Sequence, residues 1–323
     1  MSSRTSSNKE NAKFKSKIGG QALIEGVMMR GLYKSAMACR LPSGEIDLEV
    51  WDIKNGKNMP WYRKVPFLRG IFNFAITFTE GYKCLSKSAD KSMQGLEEEP
   101  QSKFEKWLDE KLGDKLGPIV SVVGMVLGLA LAVLLFVFFP SGLTKLLSKF
   151  IKINSLVKTI IEGVIKIAVF VLFMWLTSLM PDMKIMYRYH GAEHKTIACY
   201  EAGEELTPEN VKKHIRFHPR CGTSFMFLIL LISIIIFSLL HLPWDNILLR
   251  MCFKIALLPL IVGIGYEFIR LAGRYDNLFT KIFSAPGLWL QRITTKEPDE
   301  KQIECAIAAL KAVIPEDTEE DRW

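Results

Sequence analysis

The chain has 323 residues, 42 Lys and Arg against 34 Asp and Glu, a formal charge of +8, 49% hydrophobic residues and a mean hydropathy of +0.17. These averages mix two compositions, because long charge-free apolar runs alternate with Lys- and Glu-rich segments, and this argues against a single soluble globule. No heptad seam, internal repeat or low-complexity tract points to a fibre, a solenoid or wholesale disorder, which leaves a membrane protein with water-facing parts.

Residues 1–17 are rich in Ser, Asn and Lys, with no apolar core of a secretory signal behind them, and read as a disordered tail. An N-terminal cytoplasmic α+β region is expected over 18–117. It opens with glycines 19, 20, 26 and 31 around an apolar stretch that carries Glu25 and Arg30, spacing that suits tight turns and close backbone approach. No phosphate-cradling fingerprint is present. Ser35 to Arg40 and Glu45 to Trp51 flank Leu-Pro-Ser-Gly, and Ile46, Leu48 and Val50 alternate with acidic residues, which predicts a β-hairpin. From Pro66 the pattern Phe67, Leu68, Ile71, Phe72, Phe74, Ala75 and Phe78 predicts an amphipathic helix over 66–88, on the membrane surface or packed on the bundle.

A bundle of four transmembrane helices is expected over 118–270. Residues 119–139 carry no charge and are long enough at 1.5 Å per residue to cross a hydrocarbon core of about 30 Å. Residues 222–242 form a second such segment, closing on His241, Pro243 and Trp244 as an interfacial rim. Segments 156–180 and 251–269 carry ionisable residues. Glu162 and Lys166 stand four apart and are expected to neutralise each other on one helix face, while Lys254 is expected to snorkel outward. A cytoplasmic loop over 181–221 and a C-terminal segment over 271–323, with a helix around 300–313, complete a mainly α polytopic fold.

Fourteen Lys and Arg lie near the helix ends on the side of the termini and central loop, and four on the other, so both termini and that loop are expected in the cytoplasm. Residues 1–95 hold 16 basic and 8 acidic residues, a positive excess suited to an anionic lipid surface. No motif supports nucleic acid as a partner. The six cysteines form no C-x-x-C pair, so no disulfide framework is expected.

Chemistry concentrates in the central loop. In a helix over 183–202, His190, Glu193 and His194 project from one face as H-x-x-E-H. Two imidazoles one turn apart can share a divalent metal, zinc being the best match, and the intervening Glu can act as general base. Thr207 and Pro208 cap a second short helix that returns the chain to the membrane at His218 and Cys221, which are further candidate ligands. Glu267, at the cytoplasmic end of the last span, is another, and Glu201 is an additional polar candidate. The same residues also admit a structural metal clip, a solvated helix face, or simple ion pairing.

The segments GGQALIEGVMMRG (19–31), FLRGIFNF (67–74), HGAEHKTIACYEAGEELTPENV (190–211) and HPRCGTSF (218–225) resemble the YqhQ-like family of bacterial membrane proteins. The resemblance runs from about Gly19 to Ala312 and implies a multi-pass inner-membrane protein and a metal-dependent enzyme. Three functional classes follow. One is a cytoplasm-facing metal-dependent hydrolase acting on a lipid, peptide or protein at the membrane. The second is a non-enzymatic membrane scaffold or assembly factor with a structural metal, and the third, with the least polar path to support it, is a transporter.

Overall fold

The computed structural model describes residues 12–53, 60–94, 111, 113, 116–240, 242, 244–275 and 277–323. The first eleven residues of the expected tail, most of 95–117, and His241 and Pro243 of the expected rim lie outside them. Residues 12–17, also assigned to the tail, are instead pinned: Ser16 is fully buried, its amide donates to Glu201, and it bridges to Arg322.

The water-facing part is built on an antiparallel meander of β1 (Gly19–Leu23), β2 (Gly26–Arg30), β3 (Lys34–Arg40) and β4 (Ile46–Asp52), in that spatial order. The predicted hairpin is β3 and β4, whose turn places Gly44 at φ +91 and closes with a hydrogen bond from the Gly44 amide to Leu41 O. The glycine-rich segment supplies a further hairpin, with Glu25 at positive φ in its two-residue turn.

Strand periodicity sends alternate residues to two covered faces. Val27, Met29, Ala36 and Ala38 join Tyr189, Ala192 and Ile197 of α5 (Pro181–Glu201) and Ile303, Ala306 and Leu310 of α10 (Glu300–Lys311) in one core. Leu23, Met28, Met37 and Cys39 pack on Cys84 of α1 (Leu68–Ser92) on the other. Each fully buried Leu or Met here stabilises the fold by roughly 1.5–3 kcal/mol. Edge strand β4 turns its acidic face inward, where Asp47 and Glu49 pair with Lys91 and Glu49 pairs with Lys87, leaving Leu48 and Val50 exposed.

Among the described residues, four helices are long and apolar enough to cross a membrane, as expected of a membrane protein. The first is α2 (Leu116–Val133), continued through a π-helical stretch, Leu134–Phe138, into α3 (Phe139–Phe150). The others are α4 (Ser155–Thr177), α7 (Gly222–Leu239) and α8 (Ile247–Arg274). The first is longer than expected because the helix runs on through the π-helical stretch, past Pro140, to Phe150. Between the second and third spans lie α5 and α6 (Pro208–Lys213), the latter capped by Thr207, which accepts from the Asn210 amide at 3.3 Å. After the fourth comes α9 (Leu278–Thr294), which the sequence reading did not resolve, entered through an Asn277–Thr280 capping box.

The described residues divide into two compact units, one within 1–94, 171–233 and 256–323, the other within 95–170 and 234–255. In the second unit the expected Glu162–Lys166 pairing is replaced. Glu162 takes Arg250 at 2.8 Å and Lys254 as its partners, with Ser141 donating to the same carboxylate, so Lys254 does not snorkel. Lys166 instead lies 5.6 Å from the centroid of the Phe237 ring. Cations from a facing helix meet the carboxylate head on and satisfy both its oxygens, which a lysine four residues along the same helix is poorly placed to do.

Candidate metal centre

Helix α5 carries the site: its first turn accepts Pro181, and residues 191–197 are buried on every side of the helix. Gly191 allows the close approach of the segment after α9: a Cβ there would collide with the Lys296 carbonyl. That approach brings the Thr294 carbonyl to 2.8 Å from Nδ1 of His190. One turn on, Nδ1 of His194 meets the Arg216 carbonyl at 2.6 Å. Both imidazoles therefore donate Nδ1–H to backbone oxygens, which fixes their tautomers and leaves Nε2 free as a ligand atom.

Cys221 closes the group. Its Sγ lies 3.1 Å from Nε2 of His190, and the ligand atoms of His190, His194 and Cys221 all fall within 4.8 Å of one another. The His190 and His194 rings are 4.4 Å apart between centroids. His194 and Cys221 are buried, while His190 is half-buried. Two buried polar atoms here have no hydrogen-bond partner among the described residues, Nε2 of His194 and Oε2 of Glu193. Such orphans are costly unless something is bound between them, and a thiolate with two imidazoles is a donor set that suits zinc.

Glu193 is seated by β1. The Gly20 amide donates to its carboxylate, and a Cβ on Gly20 would lie 2.8 Å from Glu193 Cγ, so only glycine leaves room for it. Burial pushes the Glu193 carboxyl above its usual range, against the pull of His194 and His190. Burial would also raise the Cys221 thiol, but the His190 and His194 imidazoles outweigh it and hold the group well below an ordinary cysteine. Burial disfavours the His190 imidazolium, yet Cys221, Glu193 and the Thr294 carbonyl together more than offset this and lift it to about 9. A thiolate is the form that binds a divalent ion, and binding would displace the His190 proton.

The other candidates are placed differently. Nε2 of His218 lies 3.1 Å from the Arg220 guanidinium, and burial, then Arg220, hold this imidazole well below its ordinary value, as a neutral acceptor. Its ring is 5.6 Å from that of His194, so it borders the group without joining it. Glu201 binds Arg220 and accepts from the Ser16 amide at 2.8 Å. Glu267 accepts from Arg69 Nε at 2.7 Å and from the Phe67 amide, and is not brought to the metal-ligating group. Glu25 accepts from the Tyr189 hydroxyl at 3.1 Å, and Arg30 pairs with Glu80.

Several supporting groups were not singled out from the sequence. Gln291 of α9, fully buried, accepts from the His218 amide at 2.8 Å and donates to its carbonyl at 2.6 Å, holding the strand of chain that delivers Cys221. The orienting carbonyls of Thr294 and Arg216 carry no side-chain signature. Gly191, lying within the His-Gly-Ala-Glu-His run itself, was the one readable clue to close packing.

A family model described as a protein of unknown function (DUF1385) matches residues 65–316. The chain belongs to that family. It is also 32% identical over 298 residues, 92% of each chain, to the Bacillus subtilis (strain 168) protein named "Uncharacterized protein YqhQ". No solved structure matches. The family match contains His190, Glu193, His194, Cys221, Gln291 and Thr294, whereas Gly20, which seats Glu193, precedes it.

Proposed function

We propose that this is a multi-pass protein of the bacterial cytoplasmic membrane whose cytoplasmic face carries a metal-dependent hydrolase site, with His190, His194 and Cys221 as ligands and Glu193 as general base. The observation that carries the reading is the convergence of one thiol and two Nδ1-anchored imidazoles beside an unpartnered buried carboxylate oxygen. Three protein ligands leave a coordination position open, the arrangement of catalytic rather than closed structural zinc sites. A zinc-class ion held there would supply Lewis-acid polarisation of a carbonyl or phosphoryl oxygen.

The chain's own residues do the rest. Thr294 and Arg216 hold the imidazoles in place, and Oε2 of Glu193 is positioned to take a proton from an attacking water and return it to the leaving group. The raised affinity of Glu193 for protons suits a general base working near neutrality. A site on the water-facing part of a membrane protein suits a lipid or a membrane-bound peptide as substrate.

Burial of His194, Cys221 and Glu193 favours a second reading, a structural metal clip in a membrane scaffold. Metal analysis of the detergent-purified chain separates the two. The hydrolase reading expects one tightly held ion lost in His190→Ala, His194→Ala and Cys221→Ser, and retained in Glu193→Gln with loss of the cellular phenotype. Retained ion with an unchanged phenotype in Glu193→Gln supports the clip, and absence of bound ion from the native chain overturns both.

A further inference from the structure

Five residues beyond His194, about 7 Å further along the axis of α5, a second group of ligand-type side chains converges. Cys199 of α5, Glu204 of the turn that follows, and His214 at the end of α6 bring their ligand atoms within 4.8 Å of one another. Cys199 and His214 are buried, and Glu204 is exposed. Oε2 of Glu204 lies 3.3 Å from Nε2 of His214, a separation in keeping with two ligands on one edge of a tetrahedral site.

The backbone builds this convergence. Gly203 adopts φ +65, the left-handed conformation that ends a helix sharply, and the Glu204 amide turns back to the Cys199 carbonyl at 3.3 Å. Thr207 and Pro208 then start α6, and its last turn delivers His214, whose amide reaches the Val211 carbonyl. Lys213, next to His214, donates to Asn210 at 2.8 Å. A Glu–His ion pair alone would need no third partner. Here a fully buried thiol, which donates to the Glu205 carbonyl at 3.6 Å, faces the pair, and its sulfur lies within 4.8 Å of both partners' ligand atoms.

We propose that Cys199, Glu204 and His214 form a second divalent-metal site, for a zinc-class ion, that clamps the α5–α6 hairpin. Thiolate, imidazole and carboxylate together select a borderline ion over magnesium or calcium. The clamp lies on the hairpin whose return segment supplies the Arg216 carbonyl to His194, so it stabilises the orientation of a ligand of the first centre without touching it.

The test uses the full-length, detergent-purified chain carrying His190→Gln and His194→Gln, exposed to zinc and then to cobalt, with metal content and the thiolate-to-cobalt charge-transfer absorption as readouts. One equivalent of zinc and a persisting absorption band are expected, both lost on adding Cys199→Ser. In the otherwise native chain, Glu204→Gln, a near-isosteric change at an exposed side chain, is expected to weaken one of two zinc equivalents by about tenfold or more. The proposal is overturned if the doubly substituted chain, folded by circular dichroism, takes up neither ion, or if Glu204→Gln leaves both affinities unchanged. Failure of the first centre looks different, since the native chain would then hold a single ion that His190→Gln and His194→Gln do not remove.

Discussion

At the scale of single residues, the centre depends on atoms that are missing as much as on those present. Gly20 and Gly191 admit Glu193 and the Lys296 carbonyl where a methyl group would collide. The two glycines act on different parts of the site, and that separates their consequences. Gly20→Ala displaces Glu193 and crowds the Met28 carbonyl, so it is expected to cost about 1–3 kcal/mol in stability and to abolish the phenotype while metal remains bound. Gly128, on the first span, has open space where its Cβ would lie, so Gly128→Ala is the control and should change stability by less than about 0.5 kcal/mol. Thermal unfolding in detergent with parallel metal analysis checks both. Loss of metal in Gly20→Ala would show that Glu193 is a ligand or that β1 holds the ligand helix itself.

At the scale of elements, the second unit buries one carboxylate with two cationic partners. Glu162 is buried with Arg250 and Lys254, and Lys166 lies over Phe237. Removing the anion strands two buried cations, so Glu162→Gln is expected to destabilise the chain by about 3–5 kcal/mol, whereas Lys166→Met should be neutral or stabilising. Comparable losses in the two variants, measured by thermal unfolding, would place the Glu162 partnership on Lys166 after all. This pairing also shows where the sequence stopped being legible. Periodicity exposes neighbours on one helix, so Glu162 and Lys166 are visible as a pair, while the approach of α8 is not. The four spans, the β3–β4 hairpin, the Thr207 cap and the His190–Glu193–His194 face were all readable, because each is written in local spacing. β2 was not, because both its faces are covered and the apolar–polar alternation that marks a half-buried strand is absent, and β1, Gly-Gly-Gln-Ala-Leu, has too few apolar residues to show one. Helix α9 carries Pro286 in its interior, which breaks the pattern that would have announced it. In the candidate centre, H-x-x-E-H and Cys221 could be named from residue type, but the grouping of Cys221, apart from His218 and Glu267, with His190 and His194 could not. His218 and Glu267 are occupied by Arg220 and Arg69 instead.

At the scale of the whole molecule, the functional reading requires that the α5–α6 hairpin face the cytoplasm, where zinc-binding thiols stay reduced. The same orientation is predicted by the distribution of Lys and Arg, with the basic excess near the termini and the hairpin and few basic residues in the other two connections. A pair of reporter insertions tests it directly, because Glu205 lies in the hairpin and Asn246 in the short connection between the third and fourth spans. Green fluorescent protein is expected to fluoresce when fused after Glu205 and to be dark after Asn246. Alkaline phosphatase should give the opposite pattern, active only after Asn246. An inverted result would put His190, His194 and Cys221 in an oxidising environment outside the membrane. A reduced thiolate centre would then lose its rationale, and the hydrolase and the hairpin clamp would fail together.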